Sequence, residues 1–322
     1  MNEYYIGLDI GGTKCAVIIG DHNFKIYRRV QFDTRTERGV DSILSEFEEN
    51  IDRVLDDFPK EKLRCIGISC GGPLDSGKGI IYSPPNLPGW DNVPIVDIFS
   101  KKYGVPVAIQ NDANACALAE WLMGAGKGTS NMIFLTFGTG MGAGLVLNGR
   151  LYTGTNDLGG EAGHIRLAND GPVGFGKAGS FEGFCSGGGI AQLAKTIITE
   201  KLVKGIKVDF CNDLSKVKDL TAKKVAEAAK GGDPAANEII RISAEYLGRG
   251  LAVLIDIINP ECIVIGSIYS RNESLFKPHM ERILKLEAIP SALEVCRIKP
   301  AMLGESIGDH AALCVALYNE GF

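Results

Sequence analysis

The sequence predicts an α/β protein built from two related domains with a cleft between them, and three observations carry that reading. Apolar runs of strand length alternate with helix-periodic segments along the chain. A pattern of strand, glycine–threonine turn and strand occurs twice, at Ile6–Gly20 (IGLDIGGTKCAVIIG) and at Ile133–Gly149 (IFLTFGTGMGAGLVLNG). The 322-residue length fits about two domains. The copies lie too far apart for a solenoid, whose repeats run at roughly 20 to 50 residues, so duplicated halves are the better account.

The second copy belongs to the stretch Asn131–Gly149, NMIFLTFGTGMGAGLVLNG, around which the chain is organised. The glycines Gly138, Gly140, Gly142 and Gly144 recur at alternate positions, a spacing expected to admit positive φ and close approach to a ligand, so that backbone N–H groups line an anion. Phosphate is the anion expected.

Elsewhere, Asp41–Phe58 places Ile43, Leu44, Phe47, Ile51, Val54, Leu55 and Phe58 on one helical face. Arg64–Ser69 and Val105–Gln110 read as short buried strands, with the proline-rich SPPNLPGWDNVP between them as an ordered loop or lid. A helix is expected from Asp112 to its stop at Gly124, which sets Asn111 and Asp112 where a strand ends and a helix begins. Tyr152–Gly187 is glycine-rich and irregular and carries Glu161, His164 and Glu182. Helical patterns follow at Ser186–Val203, Thr221–Lys230, Pro234–Ile258 and Arg271–Leu286. Strands are expected at Cys262–Gly266 and Leu293–Ile298, and a closing helix at Asp309–Asn319.

Composition narrows the function. With 45% hydrophobic and 23% charged residues the chain can build a sizeable core. Its net charge of −5 and pI near 5.5 argue against a nucleic-acid surface, which depends on clustered Lys and Arg. The N-terminus lacks a signal-peptide pattern and no stretch reaches about 18 uninterrupted apolar residues, so a cytoplasmic protein off the membrane is expected. The nine cysteines include no Cys-x-x-Cys pair and read as small buried hydrophobes.

Other motifs fail. A dinucleotide fingerprint counted from Gly138 meets Ala143 at its last glycine, and strand rather than helix follows. Lys78, Lys127 and Lys177 follow glycines but precede Gly, Gly and Ala, so none completes a P-loop. The Gly-x-Ser-x-Gly strings around Ser69 and Ser306 lack the strand-to-helix context of a nucleophile elbow.

Asp9-Ile-Gly-Gly-Thr-Lys14 and Phe137-Gly-Thr-Gly140 resemble the two phosphate loops of the actin, sugar-kinase and Hsp70 superfamily. Within it the chain closely resembles the ROK family of sugar kinases and sugar-responsive repressors. The matching pieces are DIGGTK (9–14), Gly71-Gly72-Pro73, PNLPGW (85–90), NDANA (111–115), GTGMGAG (138–144), Glu161-Ala-Gly-His164 and IVIG (263–266). The repressors carry a DNA-binding segment before DIGGTK, which begins here at residue 9, so the kinase branch is expected. The resemblance implies two actin-like (ribonuclease H-like) α/β domains with an interdomain cleft. These are a smaller one over 1–112, onto which a C-terminal helix at about 309–322 packs back, and a larger one over 113–308. It further implies ATP-dependent phosphorylation of a hexose, glucose at its 6-hydroxyl foremost, by a homodimer. The alternatives are a non-catalytic sugar-binding regulator, or a kinase for fructose, N-acetylmannosamine, allose or a β-glucoside.

By the same resemblance Asp112 is the general base and Asp9 acts on Mg²⁺ through water. Gly11, Gly12, Thr13 and Lys14, with Gly138, Thr139 and Gly140, hold the ATP phosphates, and Gly266 approaches the adenosine. Asn111, Asp112, Glu161, His164 and Glu182 bind sugar hydroxyls, with Asn86 a further candidate. The chain departs from the family at two places. Where glycines commonly follow Gly266, it has Ser267 and Ile268. Where three zinc-binding cysteines are usual, it has Val173, Phe175 and Ser180, so no structural zinc is expected, with Val173 and Phe175 packing the loop instead.

Overall fold

The computed structural model describes residues 3–322. In chain order its strands are β1 (Tyr4–Ile10), β2 (Lys14–Gly20), β3 (Ile26–Asp33), β4 (Leu63–Cys70), β5 (Leu74–Asp75), β6 (Ile80–Ile81), β7 (Val107–Asn111), β8 (Met132–Leu135), β9 (Ala143–Leu147), β10 (Arg150–Tyr152), β11 (Val173–Gly174), β12 (Lys177–Ala178), β13 (Cys262–Ile265) and β14 (Arg297–Pro300). Its α-helices are α1 (Val40–Leu55), α2 (Ile95–Tyr103), α3 (Asp112–Leu122), α4 (Phe181–Phe184), α5 (Gly187–Val203), α6 (Ala222–Lys230), α7 (Pro234–Ile258), α8 (Ile268–Glu287), α9 (Pro290–Val295) and α10 (Ile307–Asn319). The mixture of α and β is the class the sequence predicts.

Two five-stranded sheets form, in the orders β3-β2-β1-β4-β7 and β10-β9-β8-β13-β14. The chain divides into two compact units. One holds the chain up to Gly128 with Gly144–Gly159 and Met302–Phe322, and the other holds Thr129–Ala143 and Gly160–Ala301. The expected boundary after residue 112 therefore falls inside α3, which groups with the first unit. The reason is packing: Ala115, Leu118 and Ala119 of α3 form one buried cluster with Ala311, Cys314 and Val315 of α10.

In the first unit β2 and β3 run antiparallel to β1, while β4 and β7 run parallel to it. Strand alternation sorts β1. Ile6, Leu8 and Ile10 join Ile43, Phe47, Ile51 and Val54 of α1 in one core, whereas Tyr5 clusters with Leu313 and Leu317 of α10. Asp9 shares the parity of Tyr5 and therefore lies on the α10 side. Gly67 in β4 is required by this packing, because a Cβ there would sit 2.3 Å from Ala316 N. Glu120 is fully buried and ties the end of α3 to the segment entering α10. Its Oε1 accepts from the Met302 and Leu303 N–H groups at 2.9 Å each, and its Oε2 from Ala125 N–H at 2.7 Å.

In the second unit β8, β13 and β14 are parallel, and α7 packs along α8 with Leu247, Leu251 and Ile255 fully buried. The expected strand at Leu293–Ile298 is corrected. Pro290 begins α9, where its missing N–H costs nothing and its fixed φ suits the first turn, and strand pairing resumes only at Arg297.

Candidate active site

In the first unit, parallel register aligns the carboxyl ends of three strands, with Asp9 opposite Ser69 and Ser69 opposite Gln110. β7 then runs straight into α3, which leaves Asn111 and Asp112 at the strand-end edge where open α/β sheets bind ligands. Asn111 caps α3, its Oδ1 accepting from Asn114 N–H at 2.8 Å, and Asp112 Oδ1 accepts from Ala113 N–H at 2.8 Å. The side chain of Asp112 meets solvent, yet the protein crowding it raises its carboxyl pKa, against the pull of the Ala113 N–H. Asp9 is half-buried and its pKa is raised to about 6, by burial first and then by Asp309 and Asp112, with Arg29 opposing. Arg29 Nε donates to Asp309 Oδ2 at 2.7 Å, and a Cβ on Gly308 would lie 3.0 Å from Asp9 Oδ2.

The first glycine loop is folded on itself and clamped. Gly11 N–H donates to Lys14 O at 3.1 Å, Thr34 N–H to Thr13 O at 2.9 Å, and Thr34 Oγ1 to Gly11 O at 2.6 Å. Thr13 and Lys14 are exposed. Asn86, from the proline-rich loop, leans on this turn, since a Cβ on Gly12 would meet Asn86 O at 2.4 Å. The handedness expected for Gly138, Gly140, Gly142 and Gly144 is corrected: none of them is among the residues of positive φ, and neither are Gly11 and Gly12 of the first loop. Space accounts for Gly11, Gly12, Gly140 and Gly144, where a Cβ would come within 2.6 Å of Lys14 O, 2.4 Å of Asn86 O, 2.8 Å of Glu182 Oε2 and 2.5 Å of Ala113 O, whereas at Gly138 the nearest atom is Ser267 Oγ at 3.7 Å.

In the second unit the turn Gly138–Met141 is held from three sides. Gly187 N–H donates to Gly138 O at 2.7 Å, Ile268 N–H to Phe137 O at 2.8 Å, and Met141 N–H to Glu182 Oε2 at 2.9 Å. Glu161 caps a single 3-10 turn, Ala162–His164, which His164 closes, and both side chains are exposed. That turn packs on the same loop, since a Cβ on Gly163 would lie 2.2 Å from Met141 O. Gly266 is buried at the end of β13, its N–H donating to Leu135 O at 2.9 Å. The structure thus gathers the candidates into two sets. One is Asp9, Gly11–Lys14, Asn86, Asn111 and Asp112 in the first unit; the other is Gly138–Gly140, Glu161, His164, Glu182 and Gly266 in the second.

The sequence profile of the ROK family matches residues 5–317. The chain belongs to the ROK family. A glucokinase of Halalkalibacterium halodurans is 34% identical to this ROK chain over 312 residues, covering 95% of it and 93% of the relative. A xylose repressor of Caldicellulosiruptor bescii is 30% identical over 284 residues, 87% of this chain and 69% of the repressor. Among solved structures, a ROK family glucokinase from Streptomyces griseus, in complex with glucose and AMPPNP, superimposes with a TM-score of 0.74 at 27% identity, covering 99% of this chain and 100% of that one.

The ROK chain's missing thiolates leave a hairpin where zinc is usual in the family. Val173 and Phe175 are 47% and 82% exposed, so the expectation that they pack the loop is corrected. Gly174 pairs with Lys177, and Phe175 and Gly176 both have positive φ, which makes the connection a type I′ turn with its apolar side chains pointing outward. The loop is anchored instead by buried Ser180, whose Oγ accepts from Gly183 N–H at 3.1 Å, and by the Lys177 Nζ bond to His164 O at 2.8 Å. Among the described residues no three His, Cys, Asp or Glu side chains gather as metal ligands. Asp9, pressed by two other carboxylates, is the kind of group that takes Mg²⁺ through water, with the remaining ligands coming from substrate phosphates. Sequence reasoning missed Thr34, Arg29 and Asp309, because no local motif marks them: Thr34 reaches the first glycine loop from 23 residues beyond Gly11, and Arg29 meets Asp309 across 280 residues. No helix among the described residues is long and apolar enough to cross a membrane.

Proposed function

We propose that this ROK chain transfers the γ-phosphoryl group of ATP to a hexose, glucose at its 6-hydroxyl foremost, with Asp112 as general base. The observation that carries the reading is the placement of Asp112 at the first turn of α3, beyond the carboxyl end of β7, with a raised pKa. A carboxylate so shifted is a better proton acceptor near neutral pH than an ordinary aspartate. The sugar O–H bond breaks as its proton passes to Asp112, the oxygen bonds the γ-phosphorus, and the bond to the leaving ADP oxygen breaks. Asn111, Glu161, His164 and Glu182 orient the hydroxyls, where an unmatched polar group costs enough to reject wrong isomers. The N–H groups and hydroxyls of Gly11–Lys14 and Gly138–Gly140 hold the phosphates, and Gly266 approaches the adenosine. When bound through Asp9, Mg²⁺ would neutralise charge on the transferring phosphate. Absence of structural zinc, a cytoplasmic location and a homodimer belong to the same proposal.

The test is ADP release by the purified protein with ATP and Mg²⁺ on glucose, mannose, fructose, allose, N-acetylmannosamine and β-glucosides. Turnover greatest on glucose supports the reading, and greatest on another sugar moves the assignment to that acceptor. The lost thiolates at 173, 175 and 180, with Ser267 in place of glycine, favour a second reading, a sugar-binding regulator without turnover. Sugar binding with no ADP release from any acceptor would select it.

A further inference from the structure

Ser267 lies where β13 passes into α8, and its backbone (φ 55°, ψ −110°) is in a region that residues with side chains rarely adopt. Its neighbours fix it there, Gly266 N–H on Leu135 O and Ile268 N–H on Phe137 O. The consequence is directional. Ser267 Oγ faces the second glycine loop, so that a Cβ built on Gly138 would lie 3.7 Å from it. Arg271, one turn further on, donates Nη2 to Ser267 Oγ at 3.2 Å and its backbone N–H to Ser267 O at 3.3 Å. Among the described residues Arg271 takes part in no ion pair, and Lys230 Nζ reaches its carbonyl at 3.4 Å. A hydroxyl and an uncompensated guanidinium are therefore poised beside the loop.

We infer that Ser267 and Arg271 together form a contact for the phosphate chain of the nucleotide, added to the backbone cradle of Gly138–Gly140. This rests on the reading of that loop as a phosphate cradle. The guanidinium fork matches phosphate oxygens and retains free donors, while Ser267 positions it with one hydrogen bond. Glycine at 267 would relieve the backbone but leave Arg271 unanchored, which makes the two effects of one substitution opposite in sign.

Calorimetric titration of the full chain with ADP, and separately with adenosine, tests this. Arg271→Ala weakens ADP by about tenfold, the loss of one charge-assisted contact, with adenosine and glucose binding unchanged. Arg271→Lys recovers part of the loss. Ser267→Gly raises Tm by about 2 °C through relief of strain and still weakens ADP several-fold. ADP bound as tightly by both variants as by the natural chain overturns the inference alone, and equal weakening of ADP and adenosine overturns the assignment to phosphate. No ADP binding by the natural chain overturns this inference together with the phosphate-loop reading beneath it.

Discussion

The Glu182 carboxylate and the Met141 N–H are joined by a 2.9 Å hydrogen bond, which links an acid read from the sequence as a sugar ligand to the second glycine loop. Glu182 Oε2 fills the space beside Gly140, where a Cβ would come within 2.8 Å of it. One oxygen is thus committed to the loop, which leaves the other for the sugar hydroxyl of the proposed function. Glu182→Ala should raise KM for both sugar and ATP, each by about tenfold, the scale of one charge-assisted hydrogen bond. Glu182→Gln keeps an acceptor and should shift both less. Steady-state kinetics in which only the sugar KM moves would show that the bond does not hold the loop.

Asp112→Asn preserves the first turn of α3, because the amide oxygen still accepts from Ala113 N–H. What it removes is the proton acceptor. Turnover should fall by about 10² to 10⁴ while glucose binding, measured by calorimetry, stays close to that of the natural chain. Near-normal turnover would remove Asp112 from its proposed role.

These two residues show what the sequence could and could not convey. Asn111 and Asp112 were legible because a strand end followed by strong helix formers fixes their place locally. The β1–β2 hairpin and the α1 face were legible for the same reason, as their periodicity is unbroken. β3 was not, because Arg28, Arg29 and Gln31 interrupt its apolar pattern at an exposed edge of the sheet. The loop glycines were found but for a partly wrong reason: composition marks them, whereas only the folded neighbours Asn86 and Glu182 reveal that space, not handedness, is needed. Val173 and Phe175 misled through their hydrophobicity, since a two-residue turn overrides it.

Asp309 tunes Asp9 and can be tested through pH. Burial raises the Asp9 pKa to about 6, Asp309 and Asp112 add to it, and Arg29 opposes. Because the folded pKa exceeds the unfolded value of 3.8, the protonated form is favoured in the fold, and that stabilisation is lost as pH rises through about 6. The Mg²⁺ role proposed for Asp9 needs the opposite form, so kcat/KM for ATP should decline as pH falls through the same range. Asp309→Asn removes one raising charge and frees Arg29 to lower the pKa further. The acid limb should therefore move to lower pH in a profile of kcat/KM; a limb that stays or rises would break the link.

Thr34 clamps the first glycine loop from outside any recognisable motif. Its buried hydroxyl donates to Gly11 O at 2.6 Å and lies 3.3 Å from Cys15 Sγ, while its N–H holds Thr13 O. Thr34→Val keeps the shape and the backbone bond but leaves the Gly11 carbonyl with only the weak Cys15 Sγ–H donor at 3.8 Å, at a cost of about 1 kcal/mol. The expected result is a lower Tm and a raised KM for ATP with the sugar KM little changed, and recovery of both in Thr34→Ser. Equal rises in the two KM values would mean that the clamp acts on the whole unit rather than on the loop.

The hairpin that stands in place of a zinc loop has Phe175 at its tip, 82% exposed with φ 43°, its ring edge-on to His164 at 6.0 Å between centroids. Left-handed backbone is costly for phenylalanine and mild for asparagine, so Phe175→Asn should stabilise the turn by about 1 kcal/mol. The same change removes the ring that borders His164, whose orientation no metal would fix in the proposed zinc-free loop. A variant with a higher Tm and a raised sugar KM would separate the two roles of the residue, whereas an unchanged sugar KM would make Phe175 a bystander to the site. Elemental analysis and a chelator treatment test the proposed zinc-free loop directly. Without zinc, a chelator leaves Tm of the nucleotide-free protein unchanged, and one tightly held zinc per chain would show that the hairpin is not what supports His164.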